Sequence, residues 1–388
     1  MGAVLLRCLL VCVCALCVRA TLPNQWTTAC TTFMGSNDGA CPVPKRYRAG
    51  MAIEAGRFLH IFGGTAGVVP RSDLWTYDTI SEKWSLGASD WRENMTDWSL
   101  DVCDPRTNTV QPAPSIGPVV APYTSGLLFV GGGQCGQSSG SWNSSAANNY
   151  WVYGRETQQW ARTWTDVDKG RLPSTTNFTS VVHGHSLFMF GGVSTEDGSP
   201  KYSNDVWVIP QTTATGAQTP ATAGAAIAAG RARLVVPSSN DRPPERCDHT
   251  AVVAGGQMLV FGGRNSQQVL DDLWAFDFGT TTWRKIEARG VGAPTKRFGH
   301  AAAVCRAAAP GMSDVVVVFG GHNGNIMLGS TVHAFSVGQE TWLELEQSGD
   351  APCKRKYSSM VCGPNGELWL FGGVDENGNV LNDLYRMF

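Results

Sequence analysis

Six times along the 388 residues, a short apolar run is closed by glycines: "FLHIFGG" ending at Gly64, "LLFVGGG" at Gly133, "LFMFGG" at Gly192, "QMLVFGG" at Gly263, "VVVVFGG" at Gly321 and "LWLFGG" at Gly373. Such a run reads as a buried strand followed by a tight turn. Glycine belongs where φ must be positive or where a side chain would strike the next strand. A unit recurring every 50 to 70 residues or so outranks any local propensity, because neighbouring copies must bury their faces on one another.

Each unit carries further signals. A loop leads to a second alternating segment: "DLWTYD", "NYWVYG", "DVWVIP", "DLWAFD", "TVHAFS" and "DLYRMF". Four units continue through a turn to a tryptophan: Trp84, Trp160, Trp283 and Trp342. Another strand signal precedes the glycine strand, as in "RYRAGMAI", "RCDHTAVV" and "RFGHAAAV". A unit is therefore four strands, A to D, and helical periodicity is absent. Taken together, the glycine pair, the aromatic strand and the spaced tryptophan resemble kelch repeats over residues 24–388. The resemblance implies an all-β, six-bladed β-propeller with strands A around a central channel.

Two units depart from the pattern. The sixth has no fourth segment after "NDLYRMF", whereas "NQWTTA" near the start carries an unassigned Trp26. An unfinished blade leaves an open edge, so residues 24–29 are expected to supply its strand D and close the ring. The third unit has no tryptophan at D. Residues 211–230, a low-complexity Ala/Thr/Gly stretch, are expected to form a flexible excursion without a core, with "RARLVV" as strand D.

The first twenty residues read as a secretory signal peptide ending at Ala20, with residues 21–388 as one propeller. No later stretch is long and apolar enough to span a membrane. Without Cys8, Cys12, Cys14 and Cys17, eight cysteines remain for an oxidising compartment. None forms a C-x-x-C pair, so a structural zinc is not expected. Cys103 with Cys135, on neighbouring blades, and Cys30 with Cys41, inside one connection, are the expected disulfides. Asn94, Asn143 and Asn177 begin glycosylation sequons. The localisation these features imply is extracellular. A formal net charge of −2 gives no global field for nucleic acid.

Strand order puts the B–C loops and D–A connections on one face and the A–B and C–D turns on the other. The first face receives the starts of strands A, which carry Arg46, Arg48, Arg246, Arg297, Arg355 and Lys356. Arginines converging on a channel mouth suit a carboxylate or sulfate, and kelch proteins that bind acidic peptides place arginines at similar points. The competing reading is solvated strand ends paired with Glu245 or Asp248. Trp98 and Trp142, in long insertions on that face, could stack on a sugar or peptide. His249 and His300 occupy equivalent positions in strands A, a part of the kelch pattern, and no metal, cofactor or catalytic group is expected. These readings give a secreted interaction module for a protein or acidic glycan. The alternative is a sugar-modifying enzyme resembling sialic-acid mutarotases, which share the blade count and export signal.

Overall fold

The computed structural model describes residues 25–388 apart from 31–40, 68–69, 91–111, 113–114, 125–126, 132–134, 137–141, 144–149, 163–174, 185, 195–198, 214–226, 230–232, 308–311 and 330. The described elements are strands, and six sheets hold four or more of them. Blade one runs Gly50–Glu54, Phe58–Phe62, Leu74–Asp78 and Lys83–Ala88, each antiparallel to the last. Blade four runs Thr250–Ala254, Gln257–Phe261, Leu273–Asp277 and Thr282–Ile286 in the same register. Blade two begins at Val119–Thr124, blade three at Thr179–His183, blade five at Ala301–Cys305 and blade six at Ser359–Cys362. Each of these innermost strands lies against those of the blades on either side, and the sixth returns to the first. The molecule is a closed β-propeller.

The expected closure is present. Gln25–Cys30 pairs antiparallel with Val380–Met387, Trp26 opposite Met387. Its other edge meets Ser348–Gly349 in parallel. Blade three is completed by Arg233–Val235 against Val206–Val208, as the sequence implies. Part of the low-complexity stretch is ordered as a ribbon, because Gln211–Thr213 extends strand C and pairs with Ile227–Ala229.

The core lies in the seams between blades rather than within one sheet. Each outer tryptophan packs between an aromatic of its own strand C and the last phenylalanine of strand B in the preceding blade. Trp342 stands 5.1 Å from Phe335 and 5.3 Å from Phe261. Trp283 stands 5.0 Å from Phe276 and 4.9 Å from Phe190. Trp26 repeats this with Tyr385 at 6.2 Å and Phe319 at 5.8 Å. The exception is the seam between blades two and three. Register aligns Gly131 with Phe62, because Val119 faces Gly131 as Gly50 faces Phe62. Blade three lacks the tryptophan that would have met an aromatic there, so both halves of that contact are missing together.

The cysteines are a correction. Cys305 and Cys362, left unpaired by the sequence, form a disulfide between the innermost strands of blades five and six. Cys30 and Cys41, expected to be bonded, meet as buried thiols instead, and the Cys41 thiol is pushed up by its hydrogen bond to Cys30 and by burial. Cys103 lies outside the described residues.

Candidate functional site at the channel mouth

The residues entering strand A follow one local pattern in all six blades. Its first and third positions have different fates.

The first position carries Arg46, Arg246, Arg297 and Arg355, and all four are buried, at 0%, 0%, 3% and 0% exposure. They do not reach the mouth. Arg46 donates from Nε to Pro44 O at 3.0 Å and from Nη1 to Gly63 O at 2.9 Å. Its fork then closes on Asp73 at 2.8 and 2.6 Å. Arg246 does the same with Pro244, Gly262 and Asp272, and Arg355 with Cys353, Gly372 and Asp383. The arginine therefore bolts strand A's entry to the first glycine of the pair and to the aspartate opening strand C. The glycine is needed at that turn: Gly63 has φ 67°, and a Cβ there would stand 2.7 Å from Ser115 O. Burial disfavours the carboxylates of Asp73 and Asp272, yet their arginines hold both below the ordinary range. These guanidiniums, expected as ligand-binding groups, are frame: their donors face the protein's own acceptors.

Blade five keeps the arginine and changes its partner. Thr331 stands where blades one, three, four and six have aspartate, and His333 where the other blades have an aromatic. Nη2 of Arg297 lies 3.2 Å from His333 Nε2, and His333 Nδ1 is 2.9 Å from Gly292 O. The imidazole donates to the carbonyl through Nδ1 and accepts from the guanidinium at Nε2. Burial and then Arg297 push His333 down to about 4. Burial, with a nearby arginine, also holds His249 and His300 well below the ordinary value. Their Nε2 atoms sit 2.7 Å from Thr179 Oγ1 and Thr250 Oγ1 of the preceding blade. A depressed histidine is neutral in both states above about pH 6.5, while below it the unfolded chain takes the proton first. Stability present above that pH is therefore lost as pH falls toward the folded-state value. For His333 the loss is about 2 kcal/mol by pH 5. Urea melts of the protein and of His333→Gln at pH 7 and pH 5 are expected to differ in acid sensitivity by about that amount.

The third position lines the mouth. Arg48, Gly117, Asn177, Asp248, Gly299 and Tyr357 all have positive φ, between 53° and 69°. Their backbones link around the axis. Gly117 N donates to Arg48 O, Arg48 N to Tyr357 O, Tyr357 N to Gly299 O, Gly299 N to Asp248 O and Asp248 N to Asn177 O, at 2.6–3.1 Å. This conformation is uncommon for arginine and tyrosine. Residues held in it against preference cluster at functional sites.

Inside this belt is a pocket of about 220 Å³ lined by Arg48, Asn177, Asp248 and Tyr357 among others. A second cavity of about 260 Å³ continues down the channel and shares Phe178, Thr179 and His300 with it. Arg48 crosses the axis from blade one to blade four, where Nη2 meets Asp248 at 2.7 Å. It also donates to Asn177 in blade three and lies 4.1 Å over the Tyr357 ring of blade six. Arg264 pairs with the other Asp248 oxygen at 2.9 Å and stacks 4.6 Å over Phe298. Lys356 lies 5.5 Å from the Tyr357 ring. His322, on the same rim, is held below its ordinary value by burial and then by Lys356 and Arg264.

Of the residues expected to bind a ligand, Arg48 and Lys356 are at the mouth. Asn177, expected to carry a glycan, accepts a hydrogen bond from Arg48 at Oδ1 inside the belt. Asn94 and Trp98 lie outside the described residues. Trp142–Asn143 forms a short pair with Cys135–Gly136 in the blade-two B–C loop. Sequence reading missed Arg264, Asp248 and Tyr357 as members of one site. The signal available was their placement: two lie two residues after a frame arginine, and Arg264 directly follows a glycine pair. Among the described residues no group of three His, Cys, Asp or Glu side chains is placed to hold a metal ion.

A family model described as the Attractin/LZTR1 beta-propeller matches residues 227–386. The chain is 24% identical to the leucine-zipper-like transcriptional regulator 1 homolog of Drosophila melanogaster over 381 residues, covering 94% of this chain and 32% of that protein. It is 34% identical over 116 residues to the tRNA wybutosine-synthesizing protein 2/3/4 of Arabidopsis thaliana, covering 29% of this chain and 11% of that protein. It is 30% identical over 150 residues to the acyl-CoA-binding domain-containing protein 6 of rice, covering 38% of this chain and 23% of that protein. The chain spans about a third or less of the length of these relatives. With its repeated arginine bolts, glycine pairs and interblade tryptophans, the chain is a kelch-type β-propeller.

Proposed function

We propose that this propeller is an extracellular interaction module whose channel mouth takes an acidic segment of a partner protein. The observation that carries the reading is local charge. Arg48 lines the mouth pocket, Arg264 flanks it through its contact with the lining carboxylate of Asp248, and Lys356 flanks it beside the lining ring of Tyr357, although the whole chain is slightly acidic. Arginine and tyrosine are also the residues that dominate protein–protein hot spots, and here they are stacked on each other and held by the belt. The extracellular assignment is supported by the apolar N-terminal segment and by the Cys305–Cys362 bond.

Titration calorimetry with a hexaglutamate peptide tests the reading. Binding is expected to weaken steeply with salt, since partly exposed charges are screened. Arg264→Ala is expected to lose about 1.5–3 kcal/mol of affinity, the contribution of a hydrogen bond to a charged group. Arg264 is 41% exposed at its side chain, so the variant keeps its fold. Salt-insensitive binding, or an Arg264→Ala protein that binds as well as the parent, contradicts the reading.

A further inference from the structure

We infer that Asp248 is a built-in competitor for the mouth: its carboxylate occupies the arginine site that an incoming acidic side chain takes, so binding proceeds by exchange of one carboxylate for another. The inference rests on the mouth reading above and adds the residue that sets its affinity.

The geometry is that of a bound ligand. One Asp248 oxygen is on Arg48 at 2.7 Å and the other on Arg264 at 2.9 Å. Two arginines from different blades thus hold one carboxylate at the centre of the ring, which is how an external carboxylate would be held. The frame carboxylates behave differently. Asp73, Asp272 and Asp383 are each matched to a single arginine of their own blade, deep in the sheet. Asp248 departs from the frame pattern, because it serves two arginines and its Arg48 partner comes from the diametrically opposite blade. Arg48 is itself only partly enclosed, with 18% of its side chain exposed beside the pocket.

Arg48 and Arg264 keep a carboxylate throughout the exchange. What changes is whose carboxylate they hold, and Asp248 gives up both of its arginine contacts. An acidic ligand gains only the difference between its own contact and the one it displaces, so affinity is held down and selectivity is raised. A singly charged group that cannot replace both Asp248 contacts is rejected. A segment with two or more adjacent carboxylates can replace them and also reach Lys356.

Two substitutions move affinity in opposite directions. Asp248→Asn removes the competing charge. Asparagine tolerates the left-handed backbone that this position requires, φ 53°. Asn177→Asp, at φ 57°, places a second carboxylate beside Arg48. With hexaglutamate peptide at fixed ionic strength, Asp248→Asn is expected to bind at least tenfold more tightly. Asn177→Asp is expected to bind at least fivefold more weakly. Arg48→Ala added to Asp248→Asn is expected to abolish the gain. Circular dichroism establishes that each variant is folded; should Asp248→Asn be unfolded, the Asn177→Asp arm alone decides. If Asp248→Asn binds no tighter, or Asn177→Asp no weaker, while Arg264→Ala still weakens binding, the competitor role is overturned and the mouth reading stands. If the peptide binds neither the parent nor Asp248→Asn, both are overturned.

Discussion

Trp26→Ala is expected to lower the unfolding free energy by about 3–5 kcal/mol, the range for emptying a fully buried aromatic site. The residue is 1% exposed and sits in the seam between blades five and six with Phe319, Val317 and Leu345. Its indole N–H donates to Gln347 Oε1 at 2.8 Å, so the substitution also removes that hydrogen bond. The larger consequence follows from topology. Trp26 anchors the strand that pairs on one edge with Val380–Met387 and on the other with Ser348–Gly349. Removal of residues 21–30 therefore uncovers the edge of blade six and lowers the melting temperature further than Trp26→Ala does. A truncated protein that melts with the parent contradicts closure by the N-terminal strand.

Arg355→Ala is expected to cost about 3–5 kcal/mol of stability, because deleting one member of a buried pair leaves the other charged and unpaired. The side chain is 0% exposed, and Asp383 receives two bonds from it at 2.6 and 2.9 Å. The change also releases Gly372 O and Cys353 O. Arg48→Ala gives a different profile: Asp248 keeps its contact with Arg264, so the loss of Arg48 is expected to cost less stability than Arg355→Ala while weakening acidic-peptide binding. Denaturant titration of both variants separates them. Equal losses would mean that Arg48 is frame as well.

The contrast between these arginines shows how far the sequence could be read. The six-strand-set ring and its closure follow from repetition: "NDLYRMF" lacks a tryptophan, and Trp26 lacks a blade. The inward turn of Arg46, Arg246 and Arg355 was written there too, since each of blades one, four and six pairs its arginine with an aspartate at the head of strand C. Blade five is the exception: Arg297 turns inward without an aspartate, with Thr331 in that place and His333 as its partner. Charge at a strand start suggests solvent, and the facing aspartate was the correction. The mouth was not legible in this way. Arg48, Asn177, Asp248 and Tyr357 share no chemistry, and only the left-handed backbone common to them brings four unlike side chains to one axis. The Cys305–Cys362 bond was hidden for a related reason. It joins neighbouring strands A, whose relative height is set by the ring and not by spacing along the chain.

Backbone hydrogen exchange with hexaglutamate peptide bound tests most directly whether the mouth is where this propeller recognises its partner. The account predicts slower exchange at residues 47–48, 248, 264 and 356–357, and unchanged exchange at the A–B and C–D turns around Gly56, Glu82 and Gly279. Slowing confined to those turns, with the mouth unaffected, would contradict it.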